Sequence, residues 1–198
     1  RRWNIFDWIV CRVTSKIYNG IALSYLKNGT INVNYPFFVK MNYKADDAAL
    51  ATDFFGLNYY SHSHLKFKFD SYEFFENKFF DYDTMTDMPY AIYPEGLYRA
   101  IKQASIINKP IIITENGIAD AIDDRRSLFI ERYIYAMSRS IKEGADVRGY
   151  YYWSLMDNFE WAEGYDMRFG LYQVDFKTQE RFLRSGSHAF VNIINESK

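Results

Sequence analysis

The sequence predicts an α/β protein built on a parallel sheet, and two observations support that prediction. Three short apolar runs, at residues 53–60, 110–114 and 147–155, are rich in aromatic or β-branched residues and have strand length. They are apolar almost throughout rather than alternating, which is typical of parallel strands covered on both faces. Helical spacing fills the intervals between them, so the order of elements indicates right-handed βαβ units.

Four helices are expected around these strands. The second begins at Pro94, a favourable first helical residue, and the third is expected to be capped by Asp123 or Asp124 and to stop at Gly144. The apolar positions of the four are Phe6, Ile9, Val13 and Ile17; Leu97, Ala100, Ile101 and Ala104; Phe129, Tyr133, Ala136, Met137 and Ile141; and Ala189, Phe190, Ile193 and Ile194. Each set lies on one face of a helix.

The chain shows no low-complexity linker and no short-period repeat, so residues 1–198 are predicted to belong to a single domain without an internal boundary. The stretch from His62 to Asp87 lacks a clear period and is long for a loop. It is interpreted as an elaborated βα connection, the kind of segment that often carries binding residues.

Composition excludes several classes of protein. With 24 basic and 25 acidic residues the net charge is −1, which gives no electrostatic footprint for nucleic acid or an anionic membrane. No apolar run reaches the roughly 18–20 residues of a membrane span. The single Cys11, expected to be buried, excludes an internal disulfide and favours a reducing, cytoplasmic location. Against this stand the N-x-[ST] triplets at Asn28 and Asn195, which matter only in a secreted protein.

Aromatic residues make up 20% of the chain, and two explanations stay open. Aromatic faces pack against the C–H faces of sugar rings, which would suit a carbohydrate-binding protein. A compositional bias of the genome also explains the number, because Asn, Lys and Ile are plentiful as well. Composition alone favours the second explanation.

Polar residues follow each predicted strand. The first strand ends in Asn58-Tyr59-Tyr60, the second in Thr114-Glu115-Asn116-Gly117, and the third in Trp153-Ser154-Leu155-Met156-Asp157-Asn158. The carboxyl ends of parallel strands meet at one edge of the sheet, where α/β barrels build their sites. Three such strand ends together therefore predict a functional site.

These segments resemble glycoside hydrolase family 1. Residues 111–117 (IIITENG) resemble its nucleophile motif, residues 149–161 (GYYYWSLMDNFEW) its sugar-binding signature, and residues 56–60 (GLNYY) a third motif, in the family's order. The resemblance continues through residues 162–172 and covers the chain from about residue 50 onwards. It implies a retaining β-glycosidase, and a fold that is the C-terminal part of a (β/α)8 TIM barrel, about three βα units corresponding to strands 6–8.

The resemblance also implies roles for individual residues. Glu115 would attack the anomeric carbon and form a covalent glycosyl-enzyme intermediate. Tyr60 would donate a hydrogen bond that keeps this carboxylate ionised and oriented, and Asn58 corresponds to a position near the sugar and the acid/base. The implied sugar-binding residues are Trp153 as stacking floor, Glu160 as acceptor from the O4 and O6 hydroxyls, Trp161 as indole N–H donor, and Phe169 as pocket wall.

Glu160 also bears on the class of substrate. Relatives acting on 6-phosphorylated sugars replace this acidic stretch with serine and lysine, and a carboxylate would repel a phosphate dianion. An unphosphorylated β-glucoside, β-galactoside or β-fucoside is therefore expected. No cofactor is expected, and neither the acidic residues of 157–166 nor the histidines have the spacing of a calcium or zinc site.

One part of the family's pattern is missing. A retaining glycosidase needs a second carboxyl group, and the family carries it in an Asn-Glu-Pro motif that this sequence lacks. A barrel needs eight strands, so the N-terminal half is expected in a longer protein, and these residues alone are expected to be inactive. Two alternatives stay open: a non-catalytic carbohydrate-binding remnant of the same fold, and a nucleotide- or flavin-binding α/β domain, which lacks a Gly-rich phosphate motif.

Overall fold

The computed structural model describes residues 4–35, 39–45, 52–70 and 73–197. A π-helical stretch joins α1 to α2, and 3-10 turns lie at Ser105–Ile107, Trp161–Glu163 and Ser185–Ser187. The α-helices of the described residues are α1 (Ile5–Ser15), α2 (Ile21–Asn28), α3 (Pro94–Ala104), α4 (Arg126–Lys142) and α5 (His188–Glu196). The strands are β1 (Thr30–Tyr35), β2 (Val39–Lys44), β3 (Phe55–Asn58), β4 (His64–Phe67), β5 (Phe75–Lys78), β6 (Ile111–Asn116), β7 (Val147–Tyr152), β8 (Tyr172–Val174) and β9 (Arg181–Leu183).

The chain divides into two compact units. The first comprises Arg1–Phe55, Ser63–Asp81 and Ala104–Pro110, and the second comprises Gly56–His62, Tyr82–Gln103 and Ile111–Lys198. All the residues with predicted catalytic or sugar-binding roles belong to the second unit.

The first unit consists of α1, α2 and two antiparallel hairpins, β1–β2 and β4–β5. The Asn4 side chain accepts a hydrogen bond from the Phe6 amide and so caps α1, which packs on β4. The buried Asp7 carboxylate accepts a hydrogen bond from the Phe67 amide at 2.8 Å, and the rings of Phe6 and Phe67 stack at 5.3 Å. The expectation of a buried Cys11 is wrong, because its side chain is exposed.

The second unit is built on a three-stranded sheet in the order β3-β6-β7. Strands β6 and β7 are parallel. The amides of Phe55 and Tyr59 donate to the carbonyls of Pro110 and Glu115, so the residue numbers rise together and β3 is parallel to β6 as well. The three predicted strands are therefore confirmed, although the first and third are shorter than expected and the second extends to Asn116.

Helices α3, α4 and α5 confirm the remaining predicted pattern. Leu97 and Ile101 of α3 and Phe129 and Tyr133 of α4 are buried, as their spacing predicted, whereas Ile141 of α4 is exposed. Helix α4 ends before Gly144, whose φ of 93° is the left-handed conformation that glycine adopts readily at a helix end.

The cap of α4 differs from the prediction. Neither Asp123 nor Asp124 supplies it; the Asp120 carboxylate accepts hydrogen bonds from the amides of Arg125 and Arg126, both at 2.9 Å. Asp123 instead pairs with the guanidinium of Arg126.

Several features lie outside the sequence prediction. The hairpin β4–β5 occupies part of the segment interpreted as a βα connection, and the hairpins β1–β2 and β8–β9 were not anticipated. Across residues 4–35, 39–45, 52–70 and 73–197, every helix is too short or too polar to cross a lipid bilayer.

Candidate functional site

The carboxyl ends of β3, β6 and β7 lie side by side. The Tyr59 amide donates to the backbone carbonyl of Glu115, and the Trp153 amide donates to the backbone carbonyl of Asn116, each at 2.9 Å. Because each bond joins adjacent strand ends, the segments that contain Tyr60, Glu115 and Trp153 are held at one edge of the sheet. This is the edge at which a site was expected.

Glu115 is oriented by Tyr60. The Tyr60 hydroxyl donates a hydrogen bond to Oε2 of Glu115 at 2.9 Å. Burial, reinforced by the hydrogen bond to Glu115 and by its negative charge, raises the pKa of Tyr60 above its usual range. The phenol therefore stays protonated and acts only as a donor towards the carboxylate.

Aromatic rings surround this pair. The buried Phe169 ring meets the Tyr60 ring edge-on at 6.3 Å, and Tyr90 lies at 6.1 Å on a tilted face. These contacts restrict the orientation of the Tyr60 phenol. The carboxylate therefore faces a ring that packing holds in place.

A second carboxylate, Glu160, lies with Trp153. Its Oε2 accepts hydrogen bonds from the indole N–H of Trp153 at 3.3 Å and from the amide of Asn158 at 3.4 Å. The peptide bond between Trp153 and Ser154 is cis. The negative charge of Glu160 also contributes to the raised pKa of Tyr60.

Two predicted site residues, Asn58 and Trp161, are exposed and do not contact Glu115 through the hydrogen bonds and ring contacts of the described residues. Asn58 is exposed, and its side-chain oxygen accepts a hydrogen bond from the Thr114 hydroxyl at 2.6 Å. Trp161 lies in the 3-10 turn Trp161–Glu163 and is 82% exposed. In the part of the chain that the structure describes, the hydrogen bonds and ring contacts of these two side chains do not include Glu115.

The structure assigns buried polar roles that sequence reasoning missed. The Arg126 guanidinium is fully buried and donates to the Tyr152 hydroxyl at 2.7 Å and to the Phe169 carbonyl at 3.1 Å, so it ties the start of α4 to β7 and to the segment that carries Phe169. Asp157 accepts from the Gly170 amide and pairs with Arg184, both at 2.9 Å.

Two of the three tyrosines of β7 form specific hydrogen bonds. The Tyr150 hydroxyl donates to the Asn116 side chain at 2.7 Å, and the Tyr152 hydroxyl accepts from Arg126. The only sequence signal was the run of three tyrosines in a buried strand, since a buried hydroxyl requires a partner.

Chemically, the site offers one carboxylate oriented by a phenol and a second carboxylate beside an indole. The first can act as a nucleophile, because the Tyr60 hydroxyl holds its Oε2 and fixes the orientation of the carboxylate. The second can accept hydrogen bonds from hydroxyl groups of a ligand whose apolar face packs on the indole.

Comparison with known proteins identifies the family. Residues 4–198 match the model of glycosyl hydrolase family 1. Beta-glucosidase A of Thermotoga maritima is 37% identical over 174 residues, which is 81% of this chain and 39% of that protein. A beta-galactosidase of Pyrococcus woesei is 44% identical over 103 residues, 52% of this chain and 20% of that protein.

Solved structures give the same result. The beta-glucosidase of Thermotoga maritima in complex with glucoimidazole matches with a TM-score of 0.83 and 30% identity, over 98% of this chain and 47% of that one. The chain therefore spans less than half the length of these relatives. Structural neighbours of this family are TIM barrels, and the described residues form an α/β structure with parallel and antiparallel sheets. The chain belongs to glycosyl hydrolase family 1.

Proposed function

We propose that this chain is the nucleophile-bearing part of a retaining β-glycosidase that hydrolyses unphosphorylated β-glycosides through a covalent intermediate on Glu115. The observation that carries the proposal is the hydrogen bond of 2.9 Å from the Tyr60 hydroxyl to Glu115. A carboxylate placed at a strand end and oriented by a protonated phenol has the arrangement that a nucleophile needs.

In the proposed reaction, Glu115 attacks the anomeric carbon through Oε1, and the bond to the leaving-group oxygen breaks as the glycosyl ester forms. Tyr60 remains bound to Oε2 and keeps the carboxylate plane fixed during the approach. Water then cleaves the ester and regenerates the carboxylate. Both steps pass through an oxocarbenium-like transition state that a nearby carboxylate stabilises.

Glu160 and Trp153 would bind the sugar. Both described hydrogen bonds to Glu160 fall on Oε2, which leaves Oε1 to accept from sugar hydroxyls. The Trp153 indole is oriented by the same bond, so its face can carry the apolar side of the ring. Phe169 walls the pocket beside Tyr60, and Trp161 offers an exposed N–H.

The substrate class follows from Glu160. A carboxylate in this position accepts hydroxyl donors and repels a phosphate dianion, so the sugar is unphosphorylated. The relatives include proteins named beta-glucosidase and beta-galactosidase, and one is bound to glucoimidazole. We therefore propose a β-glucoside, β-galactoside or β-fucoside as substrate, with Asn58 near the sugar and the acid/base.

The second carboxyl group would come from a segment outside these 198 residues. The sequence has no Asn-Glu-Pro, and the chain spans 39% of the Thermotoga maritima relative. We assign the chain to strands 6–8 of a TIM barrel. Activity then belongs to the complete polypeptide, because leaving-group departure needs a general acid.

The experiment is covalent trapping of the complete polypeptide with 2,4-dinitrophenyl 2-deoxy-2-fluoro-β-glucoside. This leaving group departs without acid assistance, and the fluorine slows hydrolysis of the ester, so the intermediate accumulates. Peptide mass spectrometry should locate one fluoroglucosyl group on Glu115, and Glu115→Gln should remain unlabelled.

Two outcomes would contradict the proposal. A label on any other residue removes Glu115 as nucleophile. Binding of glucoimidazole without any label or turnover would instead favour a non-catalytic carbohydrate-binding protein of the same fold.

A further inference from the structure

Asn116, the residue after the proposed nucleophile, contacts all three strand ends of the site. Its side-chain amide donates to the Tyr59 carbonyl at 2.6 Å, and its side-chain oxygen accepts from the Tyr150 hydroxyl at 2.7 Å. Its backbone carbonyl accepts from the Trp153 amide at 2.9 Å. The residue is fully buried, with no exposed surface. We name the chain of hydrogen bonds Tyr150–Asn116–Tyr59 the Asn116 bridge.

An amide satisfies both ends of the Asn116 bridge, because it carries a donor and an acceptor on one planar group. The Tyr59 carbonyl can only accept, so the group facing it must donate, while Tyr150 supplies a proton and requires an acceptor. Burial raises the pKa of Tyr150 well above its usual range, so its hydroxyl keeps the proton that it donates. A carboxylate at position 116 would present two acceptors, and one of them would face the carbonyl.

The bridge leads directly to the residue that orients the nucleophile. Tyr59 precedes Tyr60, and the carbonyl that Asn116 holds belongs to the peptide unit that joins them. On the other side, the Tyr60 carbonyl accepts from the Tyr133 hydroxyl at 3.4 Å. The backbone of Tyr60 is therefore held at both adjoining carbonyls, while its hydroxyl meets Glu115.

We infer that Asn116 is a positioning residue, which acts through the Tyr59 carbonyl to hold the Tyr60 hydroxyl against Glu115 and is itself oriented by Tyr150. This inference rests on the proposed role of Glu115 as nucleophile and deepens it. A shift of the Tyr59–Tyr60 peptide moves the phenol, and small misplacements of orienting groups reduce the rate of a chemical step. The competing explanation is that Asn116 merely joins the strands.

The test measures the rate at which the complete polypeptide is labelled by 2,4-dinitrophenyl 2-deoxy-2-fluoro-β-glucoside. Tyr150→Phe removes one hydroxyl and keeps the ring, and Asn116→Ala removes the whole bridge. Loss of one hydrogen bond corresponds to about a three- to tenfold lower labelling rate at saturation. The concentration of half-saturation should not change, because the bridge does not contact the sugar.

A double-mutant cycle separates positioning from a structural role. In the Tyr60→Phe background the phenol is absent, so Tyr150→Phe should cause no further loss of labelling rate. Tyr150→Phe is the decisive variant, because its ring keeps the packing if Asn116→Ala fails to fold. Ser140→Ala is the matched control, since it removes a buried hydroxyl that donates to the Ala136 carbonyl within α4.

The outcomes are distinct. Equal losses from Tyr150→Phe with and without the Tyr60 hydroxyl, or a loss that Ser140→Ala reproduces, overturn the positioning role and leave the proposed nucleophile intact. An unlabelled Glu115 in the parent polypeptide overturns the proposed function and the inference with it. Non-additive losses at an unchanged half-saturation concentration support the inference.

Discussion

The two carboxylates of the site are supported in different ways. Around Glu115 the chain is buried: Asn116, Asp120 and Arg126 have no exposed surface, and each makes several hydrogen bonds. Around Glu160 the chain is open, with the Trp161 side chain 82% exposed. Glu160 is held by two long hydrogen bonds of 3.3 and 3.4 Å, whereas Glu115 receives one of 2.9 Å.

This difference separates stability from recognition. Buried polar groups near Glu115 depend on one another, so removing one leaves partners unsatisfied and weakens the fold. The exposed segment near Glu160 has few such dependencies, and substitutions there should alter ligand binding while the fold persists. The part of the proposed site that breaks bonds is therefore built into the core, and the part that recognises the sugar lies near its surface.

The largest effect should come from Arg126→Met. The change removes six hydrogen bonds from a buried guanidinium and leaves Asp123 without its cation. Loss of one partner from a buried pair costs about 3–5 kcal/mol. Urea titration should show this fall in the free energy of unfolding.

The control for Arg126→Met is Arg148→Met, which removes an arginine that pairs with Asp146 at the surface. Exposed pairs contribute little, so its urea midpoint should match that of the parent. Equal midpoints for the two variants would show that the buried network does not stabilise the Glu115 region.

Glu160→Gln tests the exposed region around Glu160, where ligand binding should change while stability does not. A hydrogen bond to a charged acceptor is worth more than one to a neutral amide, so affinity for glucoimidazole should fall about ten- to a hundredfold. The urea midpoint should stay constant. Titration calorimetry measures the affinity, and Glu163→Gln, in the adjacent exposed turn, provides the control. A loss of stability equal to the loss of affinity would remove the distinction between the two regions.

Asp120→Asn should alter stability in acid. Burial favours a higher pKa for Asp120, but hydrogen bonds and charge from Arg125, with charge from Arg126, outweigh it and lower the pKa. A lowered pKa contributes stability that is present above the unfolded value of about 3.9 and is lost as the pH falls through the folded value.

Accordingly, the parent should lose unfolding free energy as the pH falls from about 5 to about 2, and Asp120→Asn should show a shallower decline. Urea titrations across that range measure both slopes. Parallel curves would mean that Asp120 does not contribute to the acid dependence. The lowered pKa values of Glu143 and Asp146 belong to exposed groups, whose contribution is screened by water.

The smallest effect is expected for Trp161→Phe. The indole is largely exposed, so the free energy of unfolding should not change. Loss of its N–H should weaken glucoimidazole binding about threefold, the equivalent of one modest hydrogen bond. Unaltered affinity would remove Trp161 from the proposed sugar-binding residues.

Most of the fold of the second unit could be predicted from the sequence. Apolar runs and helical spacing predicted β6, β7, α3 and α4, because burial on both faces of a strand or one face of a helix leaves a periodic signal. The hairpin β1–β2 was missed, although Ile31 and Val33 alternate with Asn32 and Asn34 as an antiparallel strand should.

Site residues could be predicted from the sequence only where a family motif contained them. Glu115 and Tyr60 were singled out through a family resemblance, while Asn116, Tyr150 and Arg126 were not assigned roles. Their hydrogen-bond partners lie up to 57 residues away in the chain, so no local sequence pattern predicts these contacts. The cap of α4 has the same explanation: Asp120 reaches amides five and six residues ahead, further than the usual capping spacing.

The Asn116 bridge also bears on the chemical ageing of the protein. Asn116 is followed by Gly117, and asparagine before glycine readily loses its amide when the glycine nitrogen attacks the side-chain carbonyl carbon to form a succinimide. Here Tyr59 and Tyr150 hold both ends of that amide, and a side chain at position 117 would collide with the Trp153 carbonyl. The folded chain should resist this reaction, and isoaspartate at position 116 should accumulate only in molecules that have opened. The amount of isoaspartate at position 116 should therefore increase with the frequency at which the strand ends separate.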